Sequence, residues 1–194
     1  TETAGTEPIA QAPDDTGGDR LSASSVGLSD DQVQLLSALN IPIVLPAAIP
    51  EGFTVLDVNA GVSAEGGPGA GPRYTVTYSG PSGCFVVESS TGGFGGPLPP
   101  NQLPVTIPIF EAIESQVLPP DYEYSVFWSD AETPDSPYPE PIIFSDWLEG
   151  EATFYRVTSG FNGSDYGFCS PARRITPEQA ADITESLDYV ETVE

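Results

Sequence analysis

An α+β fold is what this sequence predicts: an antiparallel sheet of several short strands, with a helix near the N-terminus and another near the C-terminus of the domain. Three observations carry the prediction. Residues 73–79 alternate Tyr74, Val76 and Tyr78 with Thr75 and Thr77, the period of two that marks a half-buried antiparallel strand. Ser29-Asp30-Asp31-Gln32 and Thr176-Pro177-Glu178-Gln179 are capping boxes, each opening a segment of helical apolar spacing. Glycine and proline number 20 and 21 among 194 residues, which favours short strands and turns over long helices.

Residues 1–27 are rich in Thr, Ser, Gly, Asp and Ala and nearly devoid of apolar side chains. Such a segment buries too little surface to offset its ordering entropy, so it reads as a polar acidic tether or docking arm. Residues 28–194 read as a single domain, and a globular part of about 160 residues buries about 70% of its unfolded surface. A helix is expected over 29–40, with Leu28 and Val33 as a hydrophobic staple and Leu35, Leu36 and Leu39 as its stripe. Asn40 and Pro42 end it. A proline-punctuated extended lead over 43–53 follows. Strands are expected at 53–62, 73–79, 84–89, 104–110, 122–128, 141–148 and 152–159, separated by the turn-forming stretches 64–72 and 80–83. The proline-rich segments 97–104 and 129–141 should run over the surface. The last helix starts at Pro177 and places Ala180, Ile183, Leu187 and Val190 on one face.

Charge excludes more functions than any motif suggests. The formal net charge is −24, and all five basic residues are arginines: Arg20, Arg73, Arg156, Arg173 and Arg174. Phosphate backbones and anionic lipid headgroups repel such a chain, so neither nucleic acid nor an anionic membrane surface is an expected partner. Without histidine or lysine there is no imidazole base, Schiff-base amine or phosphate-gripping ammonium. The Ser79–Gly83 stretch therefore cannot serve as a nucleophile elbow, and a catalytic thiol has nothing to ionise it. The Gly92–Gly96 run lacks the lysine and hydroxyl residue of a phosphate loop. No apolar run reaches the roughly 20 residues that span a bilayer. Thr1 reads as a processed start, and one form of signal removal would leave a lipidated cysteine just upstream.

Cys84 and Cys169 form the clearest pair. An even count in a short chain of secreted character argues for a structural disulfide, with two buried free thiols as the alternative. A bridge closing so long a loop removes about 4.5 kcal/mol of chain entropy from the unfolded state. Carboxylates are the only catalytic groups left. Glu88, Asp130, Asp146 and Glu149 lie near Phe85, Trp128, Trp147 and Tyr155 in sequence, a composition compatible with a glycosidase. Trp128 or Trp147, if exposed, suits polysaccharide binding without catalysis. Calcium is the cofactor most compatible with the acidic surface, although Asn162-Gly163-Ser164-Asp165 is only a fragment of a calcium loop and more simply a turn. Arg173-Arg174, just before the last helix, should pair with carboxylates of this chain or of a neighbour.

Four stretches resemble a family of uncharacterised secreted proteins of oxygenic photosynthetic bacteria. They are Leu45-Pro46 with Pro50-Glu51-Gly52-Phe53; Cys84-Phe85-Val86-Val87-Glu88 running to Gly92–Gly96; Phe144-Ser145-Asp146-Trp147-Leu148-Glu149; and Ile175–Ala180 with Glu185-Ser186-Leu187. The proline-glycine lead-in also looks like the start of domains common in bacterial envelope and anti-sigma-associated proteins. The resemblance implies an extracellular or periplasmic envelope location and no catalytic residues. The expectation is thus a non-catalytic structural or accessory subunit of an extracellular or membrane-peripheral assembly, self-assembled or joined to protein partners through the N-terminal arm. A polysaccharide-binding module is the first alternative and a carboxylate-only glycoside hydrolase the second.

Overall fold

In the computed structural model, the described residues are 20–63, 70–92, 95–111, 113, 115, 118–119, 121–130, 137–138, 140–161 and 168–192. Residues 1–19 of the arm, part of the glycine run and the Asn162–Asp165 turn lie outside them. Both capping boxes form. Ser29 Oγ accepts the Gln32 N–H and Gln32 Oε1 accepts the Ser29 N–H, opening helix α1 (Asp30–Ser37). Leu28 and Val33 are buried as the staple requires. Leu36 shares that buried face, whereas Leu35, one residue round the helix, is 44% exposed. Asn40 then takes the left-handed conformation, φ 54°, that stops the helix.

Four strands follow: β1 (Val44–Pro46), β2 (Thr54–Ser63), β3 (Gly71–Gly80) and β4 (Gly83–Ser90). The turn from β3 to β4 needs its glycines, because a Cβ at Gly80 would lie 2.4 Å from the Phe53 ring and one at Gly83 2.7 Å from the Arg173 carbonyl. The strand expected over 104–110 is two elements. Strand β5 (Asn101–Pro104) ends at one proline, and Pro108 opens the one-turn helix α2 (Pro108–Glu111). Each proline removes a ladder donor, so no continuous strand crosses both. Val105, Ile107 and Phe110 still reach the core. Strands β6 (Ser125–Ser129), β7 (Ile142–Ser145), β8 (Leu148–Glu149) and β9 (Phe154–Ser159) come next, and a 3₁₀ turn at Pro171–Arg173 leads to α3 (Pro177–Glu185) and β10 (Leu187–Tyr189).

Helix α3 is shorter than its apolar spacing suggests. Leu187 and Val190 are buried as expected, but β10 carries Leu187 into antiparallel pairing with β1 through Val44↔Tyr189 and Pro46↔Leu187. The chain turns at Ser186, and the β-branched and aromatic residues that follow suit a strand. Residues 20–27 join this corner. Leu21 bridges Val190, and Val26 is wholly buried, its carbonyl accepting the Tyr78 hydroxyl at 3.1 Å.

The main sheet is antiparallel throughout, in the order β2-β3-β4-β9-β7-β6-β5, with β8 pairing β9 beside it. Register assigns its two faces. Val76, Val87 and Val157 lie opposite one another on the core face, as do Tyr78 and Phe85. Helix α3 packs there across β6, β7 and β9, and three tyrosines bolt the face down. The Tyr74 hydroxyl bonds both the N–H and the carbonyl of Val44 at 2.9 Å, and Tyr155 donates to the Pro42 carbonyl at 2.9 Å. The other face carries Thr75, Glu88 and Arg156 in one row and Thr77, Val86, Thr158 and Phe144 in the next.

Cys84 at the head of β4 is disulfide-bonded to Cys169, with Cα atoms 5.5 Å apart. A disulfide suits an oxidising, non-cytoplasmic compartment. Among the described residues, no helix is long and apolar enough to cross a membrane.

Candidate functional site: an aromatic cleft over a buried ion pair

On the face of the sheet opposite the core lies a cleft of about 450 Å³. Alternation along two neighbouring strands builds its floor: Phe144 from β7, and Phe154 and Arg156 from β9. Its walls come from the chain around them. Asp146 and Trp147 sit on the turn from β7 to β8, Tyr122 precedes β6, and Tyr138 precedes β7. Gly95–Leu98, downstream of β4, closes one side, tied to Tyr138 by its hydroxyl donating to the Pro97 carbonyl at 2.8 Å.

A charged side chain in the middle of a sheet needs a partner, and Arg156 finds Glu88 directly across the β4–β9 ladder. Arg156 Nε donates to Glu88 Oε1 at 2.6 Å, and an Nη lies 2.5 Å from the same oxygen. Burial pushes the Glu88 carboxyl above its ordinary range, with the Arg156 guanidinium pulling against that shift. The guanidinium carbon stands 4.3 Å from the Trp147 ring centroid and 5.5 Å from that of Phe144, close enough for cation–π attraction to both. Glu88 therefore holds a cation against the aromatic lining.

Asp146 is held differently. Its Oδ1 accepts the Tyr122 hydroxyl at 3.0 Å and its Oδ2 the Ser125 N–H at 2.8 Å, while its own N–H donates to the Ser125 carbonyl. Burial raises its carboxyl above the usual range and these two donors lower it. Burial and the adjoining carboxylate push the Tyr122 phenol up to about 12. Both tyrosines pack edge-on against aromatic neighbours, Tyr138 on Phe144 at 5.8 Å and Tyr122 on Tyr124 at 5.6 Å, a geometry that fixes ring orientation.

The other candidate residues are dispersed. Trp128 lies on the core face, half-buried and packed against the main core, on the opposite side of the sheet from the cleft. Glu88 is buried beneath Arg156, Asp130 pairs with Arg174 at 2.6 Å, and Glu149 accepts the Ser115 hydroxyl at 2.5 Å. The cleft wall thus carries a single carboxylate, Asp146, among the described residues. Arg173 and Arg174 both bond within the chain. Arg173 clamps the β3–β4 turn through the Gly80 and Gly83 carbonyls, and Arg174 reaches the Ser129 carbonyl as well as Asp130. Together with the disulfide they fix residues 169–174 to the sheet. Among the described residues no group of three or more His, Cys, Asp or Glu is placed to hold a metal ion.

Trp147 and Asp146 stand out in the sequence by residue type; Arg156, Tyr122, Tyr138 and Phe154 do not. The available signal was one arginine inside the apolar strand Phe154–Ser159 and one glutamate inside Cys84–Ser89, two opposite charges each in need of a buried partner. No family model matches the chain, and neither a curated protein nor a solved structure is significantly similar to it.

Proposed function

We propose that this protein is a non-catalytic glycan-binding protein of the cell envelope or extracellular space. The observation that carries the reading is the cleft, in which Tyr122, Tyr138, Trp147 and Phe154 surround the polar groups of Asp146 and Arg156. Pyranose rings present C–H faces that pack on aromatic rings and hydroxyls that bond to fixed polar groups, which is the mixture this lining offers. Glycoside hydrolysis needs two carboxylates flanking the scissile bond, and a wall with one carboxylate among the described residues favours binding over cleavage. The disulfide supports a location outside the cytoplasm. Affinity electrophoresis through gels cast with envelope polysaccharides tests the reading. The wild-type protein should be retarded and Trp147→Ala should lose about tenfold in affinity, a typical effect for an aromatic anchor. Equal migration of the two proteins in every gel would overturn it.

A second reading, an accessory subunit of an extracellular assembly, is favoured by the open edge of the sheet. Among the described residues strand β2 pairs only with β3, leaves Leu56 and Val62 exposed, and bears one charge, Asp57, in a chain of net −24. An edge strand of this length with a single charge is a template for a further strand. Light scattering on the wild-type chain and on Val62→Lys separates the cases: an assembly that Val62→Lys dissociates supports this reading, and a monomer in both removes it.

A further inference from the structure

The charges of the cleft do not cancel. Arg156 is neutralised by Glu88 beneath it. Among the described residues Asp146 is met only by neutral donors, the Tyr122 hydroxyl and the Ser125 N–H. Among the described residues the ion pairs are Arg156–Glu88 and Arg174–Asp130, and Asp146 belongs to neither. Each of its carboxylate oxygens accepts one bond and keeps a second lone pair for a ligand. Tyr122 and Trp147 line the cleft beside it, aromatic faces attract cations, and the net charge of −24 raises the local concentration of cations around the whole chain.

We infer that the cleft selects glycans bearing free amino groups, with the ligand ammonium bound by the Asp146 carboxylate beside Tyr122 and Trp147. This rests on the glycan reading above and adds the substrate class. Acetylating the amine removes the charge that Asp146 recognises. A uronate brings a second negative charge to a cleft already negative, and is rejected.

The test compares three disaccharide probes by calorimetry: deacetylated chitobiose, its N-acetylated form and digalacturonate. The amine form should bind about tenfold or more tightly than the acetylated form, the scale of one charge-assisted contact. That preference should shrink between about 0.05 M and about 0.5 M salt, and digalacturonate should not bind. Asp146→Asn should bring the amine-to-acetyl ratio to about one. Asp182→Asn, which removes the same charge from the exposed face of α3, should leave the ratio unchanged and so separates the site from general attraction to an acidic protein. If Asp146→Asn fails to fold, the salt series and Asp182→Asn decide without it. Equal affinity for the two chitobiose forms, a preference indifferent to salt, or an equal loss in Asp182→Asn overturns the inference while leaving the glycan reading standing. Absence of binding by all three probes, together with no retardation in any polysaccharide gel, removes both.

Discussion

The two faces of the main sheet are made of the same strands and treat polar atoms in opposite ways. On the core face three large polar side chains are anchored: Tyr74, Tyr78 and Tyr155 send their hydroxyls to the carbonyls of Val44, Val26 and Pro42. On the other face Thr75, Thr77 and Thr158 bury their hydroxyls without a hydrogen-bond partner among the described residues, as does Glu88 with its Oε2. Buried polar atoms of this kind cost free energy that a folded chain normally avoids. One face is thus optimised for stability. The other tolerates a polar strip that leads to Arg156 and the cleft, and functional sites are where such local costs concentrate.

Substitutions on the two faces sharpen or break this contrast. The largest effect is expected in the core: Phe85 is fully buried and stacked on Tyr78 at 4.8 Å, and Phe85→Ala should cost about 4 kcal/mol by chemical denaturation. Glu88→Ala comes next, at about 3 kcal/mol, because it breaks a buried ion pair. Replacing both partners by leucine should recover most of that loss, and failure to recover would mean that the pair contributes more than mutual neutralisation. Tyr74→Phe should cost about 2 kcal/mol, since the N–H and carbonyl of Val44 both lose their partner.

A smaller effect depends on pH. Asp146 has a raised carboxyl in the folded state, so the native protein binds the proton more tightly than the unfolded chain. Its contribution to stability is therefore most favourable below the ordinary value of 3.8 and falls as pH rises through the raised one. Thermal melts from acid to neutral pH should show this decline reduced in Asp146→Asn; a parallel decline in both proteins would assign it elsewhere. The smallest effect is expected at Thr77→Val, which deletes an unpartnered hydroxyl at nearly constant volume. It should shift stability by less than about 0.5 kcal/mol or increase it slightly. A loss comparable to that of Tyr74→Phe would erase the distinction between the faces.

How much of this was legible in the sequence follows from the range of each interaction. The capping boxes are complete within four residues, and the Tyr74-Val76-Tyr78 alternation lies within one strand, so both were readable and both form. The cysteine pair was readable because composition left few other uses for it. The end of α3 was not, because Leu187 continues the helical spacing and only pairing with β1 decides against it. The 104–110 segment misled because its apolar residues alternate while its two prolines set the local geometry. The cleft was half visible: Asp146-Trp147 stood out by residue type. Arg156 and Glu88 are 68 positions apart, and only the register of β4 against β9 brings them together. Tyr122 and Tyr138 join the site through loops whose paths carry no periodic signal.

The central claim, that the second face of the sheet bears a glycan site walled by Trp147, has a direct optical test. The chain holds two tryptophans, and Trp128→Phe leaves Trp147 as the sole indole. Titrating that variant with deacetylated and N-acetylated chitobiose should change its emission saturably, at the ligand concentrations that calorimetry gives for the same probes. Binding seen by calorimetry with an unchanged Trp147 spectrum would put the site elsewhere on the molecule and contradict the account.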